Sequence, residues 1–365
     1  MKLLCAGLAA LDVDVTYLVA GDSLCTKDSQ VNTATKSYRM VEAATLGTCF
    51  STAISPMQVI KAMRMHRQQP FDVVHLHFPN PLAHLASFFL PKNIKRVITW
   101  HSDIIRQKRL LALYLPFLRR ITLRADALIA ATPAHFTSST QIPDSLPAAK
   151  RHVIPYGRDF SDLALTPHTA ELCASLKAKA TSVSTSGHII FALGRHVYYK
   201  GFDVLLEAMQ HVDAQLILGG DGPLKAELQQ QAERLGIGHK VTFTGSVPEA
   251  DLAAYFNACD MFCLPSVEQS EAFGLVQLEA MACGKPVVCT QLNNGVNVVN
   301  QAGVTGLAVP VRDATALAEA LNKLLNDDTL RSKLGQQAKA HAVSGYSLTA
   351  MSNSHLALYH MLLST

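Results

Sequence analysis

The chain has 365 residues, of which 49% are hydrophobic, so it is long enough to form two domains with sizeable cores. Its net charge of +4 and its charged content of only 16% do not favour nucleic acid as a partner. No apolar run in it reaches the roughly 18–20 residues of a membrane-spanning helix.

Up to residue 160, helical and strand periodicities alternate along the chain. A helix over 3–11 leads into a strand over 13–19, and the next helix is predicted over 56–68. The elements predicted after it are strand 72–77, helix 81–90, strand 96–99, helix 106–124, strand 127–130 and strand 152–154. This part of the chain, residues 1–160, is predicted to be an N-terminal domain.

The segment 161–187 changes character, because it is rich in Ala, Ser and Thr, and we assign it to an interdomain region. Beyond it a C-terminal domain is predicted over 188–345, followed by a helix over 346–365 that packs back on the N-terminal domain. Its predicted elements are strand 188–193, helix 202–210, strand 214–219, helix 223–235, strand 241–244, helix 248–258, strand 261–264, helix 273–283, strand 286–289 and helix 315–325. This alternation predicts α/β domains with parallel sheets, which bind ligands at the carboxyl ends of their strands.

Two carboxylates, Glu271 and Glu279, have seven residues between them. On the predicted helix, Glu279 lies about 40° from Leu275, at the edge of the stripe that is expected to face the core. A carboxylate buried there needs a partner. Glu271 precedes the helix, where free backbone N–H groups are compatible either with a capping role or with the binding of an anionic or polyhydroxy ligand.

Arg195 and Lys200 occupy one loop between a predicted strand and a predicted helix. A guanidinium and an ammonium that converge there would neutralise a nucleoside diphosphate as it departs. The alternative is an exposed loop with ordinary solvated basic residues. The C-terminal half contains no D-x-D motif, so we expect no metal or other cofactor to be required.

Five segments, in order, resemble motifs of the retaining glycosyltransferases of family 4, which have the GT-B fold of two facing Rossmann-like domains. The E-x7-E segment is the most specific, and the similarity is strongest to the bacterial polysaccharide mannosyltransferase group. The five segments are TWHSD (99–103), VIPYGRD (153–159), GRHVYYKG (194–201), GGDGPL (219–224) and EAFGLVQLE (271–279).

The resemblance implies a role for each of these residues. Glu279 would bind the ribose of the donor nucleotide, and Glu271 would bind the transferred sugar, with His101 facing that sugar from the N-terminal domain. The resemblance also assigns donor contacts to Arg195, Lys200 and the backbone N–H groups of Phe273, Gly274 and Leu275. Members of the family often carry an acid a few residues after the next strand, where this chain has the loop NNGVN (293–297) with neutral amides. This difference weakens the transfer of detailed sugar contacts from the acidic members.

Two histidine patterns also have ordinary alternatives. His101 ends a predicted strand, where an imidazole can simply be hydrogen-bonded in place. His75 and His77 share one face of a predicted strand, but no third ligand accompanies them, so we do not expect a metal site.

The beginning of the chain departs from the family pattern. Helix 3–11 and strand 13–19 match the family's first helix and second strand, without the first strand and the Gly-rich turn that precede them. The first strand is central in such a sheet, so a gap between two strands is expected. This predicts either a reading frame that extends upstream or an inactive remnant that at most binds nucleotide.

The stretch 106–124 is basic and amphipathic, with no acid between Asp103 and Asp126. It is typical either of a helix on an anionic membrane surface, which we favour, or of a core helix with a solvated basic face. Its basic residues are Arg106, Lys108, Arg109, Arg119, Arg120 and Arg124.

Eight scattered cysteines without a C-x2-C pair indicate a reducing, cytoplasmic location. The resemblance therefore predicts a transferase at the inner face of the membrane. It would move a hexose, expected to be mannose from GDP-mannose, to a lipid-linked oligosaccharide with retention. A UDP-sugar transferase of the same fold is the alternative.

Overall fold

The computed structural model describes residues 1–33, 36–49, 52–104 and 108–364. The chain divides into two units, of which the first joins Met1–Arg158 to Leu348–Thr365 and the second is Asp159–Ser347. Both units contain parallel sheets with helices between their strands, so the predicted α/β class is confirmed.

The first unit begins with a helix where the sequence predicts one. Most of its later elements match the predicted ones within a few residues, because their apolar residues recur at helical or strand spacing. Its elements are α1 (Lys2–Ala10), β1 (Thr16–Ala20), β2 (Lys27–Asn32), β3 (Ser37–Ala43), β4 (Gly47–Cys49), β5 (Thr52–Ile54), α2 (Met57–Gln68), β6 (Val73–Phe78), α3 (Pro81–Phe88), β7 (Lys95–Trp100), α4 (Lys108–Arg124), β8 (Ala127–Ala130), α5 (Ala134–Ser138) and β9 (Arg151–Val153).

The strands of the first unit form three sheets. Strands β6, β7, β8 and β9 form a parallel sheet in that order. In the second sheet β3 lies between β1, which is parallel to it, and β2, which is antiparallel, while β4 and β5 form a hairpin. Within the described ranges no ladder joins β1 to β6, which belong to different sheets.

The sequence predicts no element between residues 20 and 55, yet β2 to β5 lie there. The reason is clearest for β2, whose sequence KDSQVN is exposed at five of its six positions and has no apolar alternation. It is held instead by pairing with β3, including a contact of 2.7 Å between Arg39 Nη2 and Asp28 Oδ2. A strand of this kind has no hydrophobic pattern to read.

The second unit continues the alternation and ends before the helix that returns to the first unit. That returning helix, α14, packs against α1. The remaining elements are α6 (Pro167–Val183), β10 (Ile189–Leu193), α7 (Phe202–Met209), β11 (Gln215–Gly219), α8 (Lys225–Arg234), β12 (Val241–Gly245), α9 (Leu252–Ala258), β13 (Met261–Leu264), α10 (Leu275–Ala282), β14 (Val287–Thr290), α11 (Gly295–Val299), β15 (Gly306–Val309), α12 (Ala314–Leu325), α13 (Asp328–Tyr346) and α14 (Leu348–Leu363).

The sheet of the second unit has six parallel strands in the order β12-β11-β10-β13-β14-β15. The order reverses beside β10, because the chain first runs outward to β12 and then returns to β13 on the other side. This is the doubly wound arrangement, in which the reversal creates a ligand crevice at the carboxyl ends of the strands. Strands β11, β13 and β14 are buried at every position.

The segment 161–187 is not a separate connection in the structure. It contains α6, which belongs to the second unit and packs against α9. The helix begins with a capping box between Thr166 and Thr169, and it buries Thr169, Cys173 and Ala180. The buried side chains are small, and the leucines of the helix, Leu172 and Leu176, are only partly buried. The sequence of α6 therefore lacks the stripe of large buried residues by which a core helix is usually identified.

Candidate functional site

The carboxyl ends of β10, β11 and β13 are brought together by glycines. Gly220 has a φ of +111°, and a Cβ atom on it would lie 2.0 Å from the carbonyl oxygen of Gly194. Gly201 has a φ of +65°, and a Cβ atom on it would lie 2.1 Å from the carbonyl oxygen of Pro265. Only glycine permits both the backbone conformation and the approach, so these motif glycines hold three strand-end loops in contact.

Lys200 and Glu271 form an ion pair at this edge of the sheet. Lys200 Nζ lies 2.5 Å from Glu271 Oε2, and each side chain is only 11% exposed. Ser266 Oγ donates a second hydrogen bond to the same oxygen at 3.0 Å. Two residues that the sequence predicts for the donor site therefore meet, and their contact links the loop after β10 to the loop after β13.

Helix α10 begins at Leu275, two residues later than predicted. Gly274 precedes it in the left-handed conformation, with a φ of +66°, and no side chain caps the helix. A capping role for Glu271 is therefore wrong, since its carboxylate binds Lys200 and Ser266 instead. An uncapped helix N-terminus beside this ion pair is a favourable place for an anionic group.

The burial of the side chains on α10 agrees with the prediction for Glu279 and differs from it for Leu275. Glu279 is only 8% exposed and Leu278 is fully buried, so the expected burial of the acid is confirmed. Leu275, in contrast, is 48% exposed, so its predicted place on the core-facing stripe is wrong. Phe273 is buried instead, with its ring centroid 6.0 Å from that of Tyr346.

Arg195 lies in the same loop as Lys200, but its side chain is exposed, whereas Lys200 is buried. The loop is fixed by its neighbour, because the backbone N–H of His196 donates to the carbonyl oxygen of Asp221 at 2.9 Å. The structure thus separates the two predicted phosphate ligands into one buried cation and one exposed cation.

Two amide side chains after β14 form hydrogen bonds to the backbone of the loops around the site. Asn297 Oδ1 accepts hydrogen bonds from the backbone N–H groups of Leu292 and Asn293, at 2.7 and 2.8 Å. Asn294 Nδ2 donates to the carbonyl oxygen of Glu271 at 2.8 Å. Neither Asn294 nor Ser266 was predicted, although Ser266 follows a buried strand so closely that its position at the ligand-binding edge was a readable signal.

In the first unit, His101 is part of a hydrogen-bonded chain of rings. Its Nε2 atom lies 2.9 Å from His77 Nδ1, and its Nδ1 atom lies 2.8 Å from the hydroxyl of Tyr156. Burial lowers the pKa of His101 to about 4, and it lowers the pKa of His77 well below the usual value, with further contributions from the neighbouring histidines. Both rings are therefore neutral near pH 7, and both nitrogens of His101 are already engaged.

A second chain of hydrogen bonds runs beside the first. His75 Nδ1 lies 2.6 Å from the hydroxyl of Tyr359, and His75 Nε2 lies 2.7 Å from Thr99 Oγ1. The His75 and His77 rings stack at 4.5 Å, which places them on one face of β6 as predicted. Among the described residues no group of three or more His, Cys, Asp or Glu side chains is placed to hold a metal ion.

The predicted basic helix is present as α4. Arg119, Arg120 and Arg124 are exposed, whereas Arg106 lies outside the described residues, as do the side chains of Lys108 and Arg109. Leu118 and Ile121 are buried in the core of the unit. None of the helices in the described part of the chain has both the length and the apolar character needed to cross a bilayer.

Two family descriptions match consecutive parts of the sequence. Residues 1–162 match "Glycosyltransferase Family 4", and residues 177–341 match "Glycosyl transferases group 1". O-antigen chain mannosyltransferase C of Escherichia coli is 29% identical over 316 residues, which cover 86% of this chain and 82% of that protein. D-rhamnosyltransferase WbpZ of Pseudomonas aeruginosa is 35% identical over 269 residues, which cover 74% of this chain and 68% of that protein.

Solved structures agree with this assignment at the level of the fold. A glycosyltransferase from Rickettsia africae has a TM-score of 0.76 at 20% identity, covering 100% of this chain and 94% of its own. Sucrose-phosphate synthase from Thermosynechococcus elongatus has a TM-score of 0.74 at 23% identity, covering 100% of this chain and 92% of its own.

Proposed function

The chain belongs to glycosyltransferase family 4, and we propose that it transfers mannose from GDP-mannose to a lipid-linked oligosaccharide with retention of configuration. Its membership makes it a GT-B transferase with two Rossmann-like domains, in the group that builds O-antigen and related polysaccharides. The name of the Escherichia coli relative supports mannose as the sugar and a growing glycan chain as the acceptor.

The observation that carries this proposal is the ion pair between Lys200 and Glu271 beside the N-terminus of α10. A nucleotide sugar has a diphosphate directly attached to a polyhydroxy ring, so its recognition needs a cation and a hydrogen-bond acceptor side by side. Lys200 would neutralise the diphosphate as negative charge develops on it. Glu271 would accept hydrogen bonds from hydroxyls of the transferred sugar.

The other donor residues complete this assignment. Glu279 would bind the ribose hydroxyls from α10. The backbone N–H groups at the start of this helix, those of Phe273, Gly274 and Leu275, would stabilise the diphosphate. Arg195, exposed in the same loop as Lys200, would add a second positive charge. We expect no metal cofactor, since two cations and a helix N-terminus are available for the leaving group.

His101 is proposed to face the transferred sugar. Its two ring nitrogens are hydrogen-bonded to His77 and Tyr156, so a sugar hydroxyl reaches either nitrogen only by displacing one of them. We therefore assign His101 a neutral, positioning contact rather than the transfer of a proton. The acceptor would be presented at the cytoplasmic face of the membrane, with the basic residues between 106 and 124 on its anionic surface.

The test is an assay of the purified chain with lipid-linked oligosaccharide acceptors and a panel of nucleotide sugars, read by mass spectrometry. Transfer from GDP-mannose alone, with an unchanged rate in EDTA and with an NMR spectrum that shows the α-anomeric linkage of the donor kept in the product, supports the proposal. Transfer from UDP-sugars would favour the alternative donor. Nucleotide binding without transfer from any donor would identify an inactive remnant.

A further inference from the structure

The first unit exposes an unusual number of large apolar side chains near the arginines of α4. Phe89, which follows α3, is 54% exposed, and Leu113 of α4 is 82% exposed. Phe88 and Leu110 are each about half exposed, at 47% and 49%. Together with two arginines they form what we call the aromatic–basic surface: Phe88, Phe89, Leu110, Leu113, Arg120 and Arg124.

Contacts between the two helices make this surface continuous. The ring of Phe88 lies 6.2 Å from the ring of Phe117, and the guanidinium of Arg124 lies 5.5 Å from the centre of the Phe88 ring. At 100° per residue, Leu110, Leu113, Phe117, Arg120 and Arg124 fall within roughly 80° of one another on α4. The exposed leucines and arginines therefore share the side of α4 that meets Phe88.

The core of the unit does not need these side chains. The residues of α4 that fill the core are Leu118 and Ile121, which are 0% and 6% exposed and belong to a cluster with Trp100 and Phe78. At 100° per residue, Leu118 lies about 140–160° around the helix from Leu113 and Arg120, and Ile121 lies about 80–100° from them, so Leu113 and Arg120 are turned away from the core. An exposed apolar surface of this kind, beyond what packing requires, marks an interaction site.

The charge around the surface identifies the partner. From Val73 to Ala125 the chain contains a single acid, Asp103. Its carboxylate accepts hydrogen bonds from Trp100 Nε1, Ser139 Oγ and the backbone N–H of Thr140, so it is occupied locally. Arg119, Arg120 and Arg124 are thus left as exposed positive charge beside exposed aromatic rings, which complements a surface of anionic headgroups over hydrocarbon.

We infer that the aromatic–basic surface binds anionic phospholipid bilayers, with its arginines on headgroup phosphates and with Phe89 and Leu113 inserted below them. The inference rests on the proposed function, because membrane binding would bring the enzyme to a lipid-linked acceptor. It goes beyond a basic helix held by charge alone, because Phe88 at the end of α3 and Phe89 directly after it contribute aromatic rings. Attraction by charge weakens with salt, whereas insertion of apolar side chains does not.

The experiment is sedimentation of the full chain with vesicles of phosphatidylcholine alone or mixed with phosphatidylglycerol, at low and at high salt. The wild type should bind the anionic vesicles. The double variant Phe89→Ser/Leu113→Ser should bind about tenfold more weakly at both salt concentrations. Arg120→Gln/Arg124→Gln should lose about tenfold at low salt and much less at high salt. Leu363→Ser, which changes another exposed apolar residue of the same unit (48%), should bind within about twofold of the wild type.

Fluorescence of Trp100, the only tryptophan of the chain, checks that each variant keeps the fold of this unit. Equal vesicle binding by all folded variants would overturn the inference. So would a shift from dimer to monomer in the Phe89→Ser/Leu113→Ser variant without a change in vesicle binding, because the surface would then bind a second copy of the chain. Vesicle binding is measured without a sugar donor, so it can succeed or fail independently of glycosyl transfer.

Discussion

Acidification from pH 7.5 to pH 5.5 should destabilise the first unit through its buried histidines. His75, His77, His84 and His101 all have pKa values lowered mainly by burial, to about 4 for His84 and His101. In the unfolded chain the same rings titrate near 6.5. Below that pH the unfolded state binds protons that the folded state does not bind, so the free energy of unfolding must fall.

The size of the effect follows from the difference between the two states. One pH unit below the unfolded pKa, each ring that stays neutral in the folded state lowers the free energy of unfolding by about 1.4 kcal/mol, so four rings lower it by about 5.5 kcal/mol. The loss begins near pH 6.5, and for His84 and His101 it continues until their folded pKa values of about 4 are reached. Against a typical stability of about 5–15 kcal/mol, this is enough to unfold the unit or nearly so.

Urea unfolding at pH 7.5, 6.5 and 5.5, followed by Trp100 fluorescence, measures this loss in the correct unit. Trp100 is fully buried and stacks on Phe78 at 3.8 Å, so its emission reports the packing of the sheet that carries the histidines. His84→Gln should flatten the pH dependence by about 1.4 kcal/mol, whatever its effect at pH 7.5. His360→Gln, at an exposed position, should leave the pH dependence unchanged. A total change below about 1 kcal/mol between pH 7.5 and 5.5 would refute the reasoning.

Three further predictions concern the second unit. Lys200→Ala and Arg195→Ala should each weaken nucleoside diphosphate binding by about 1–3 kcal/mol in calorimetry, but only Lys200→Ala should also destabilise the unit in urea, because it leaves a buried carboxylate without its cation. Glu279→Gln should lower nucleotide affinity and leave the fold intact; lost stability with retained affinity would make the carboxylate a structural partner. Glu271→Gln should lower kcat strongly while affinity for the free nucleoside diphosphate is kept or increased. A parallel loss of both would contradict the assignment of the sugar to Glu271 and of the diphosphate to Lys200.

Buried strands were the part of the fold that the sequence predicted best. Strands β8 and β13 have the predicted bounds, Ala127–Ala130 and Met261–Leu264, because short apolar runs between turn residues describe a strand buried on both faces. The polar strand β2 and the helix α6 were not predicted, because β2 is held by strand pairing and α6 by the close packing of small side chains. Neither depends on a regular pattern of hydrophobic residues.

In the candidate site too, some features could be read from the local sequence and others depend on the fold. The residue types at strand ends could be read from the sequence, and this identified Lys200 and Glu271 separately. Their contact joins residues 71 positions apart, and it depends on the backbone approach at Gly201, which no local pattern records. The hydrogen-bonded chain from His77 through His101 to Tyr156 likewise depends on the register of β6 and β7 and on a residue 55 positions after His101. The sequence spacing of His75 and His77 suggested only a possible metal pair, which was rejected because no third ligand accompanies them.

The ion pair between Lys200 and Glu271 can bind both the diphosphate and the sugar of the proposed donor. The two hydrogen bonds that the structure records for the carboxylate of Glu271, from Lys200 Nζ and from Ser266 Oγ, both end on Oε2. Its other oxygen, Oε1, is therefore available to accept from a sugar hydroxyl without the ion pair being broken. Lys200 has two further N–H donors for a diphosphate, and the negative carboxylate beside it opposes the binding of a second anion. Removing that charge in Glu271→Gln thus favours the diphosphate alone and removes a charged acceptor from the sugar, which is why affinity and turnover should change in opposite directions.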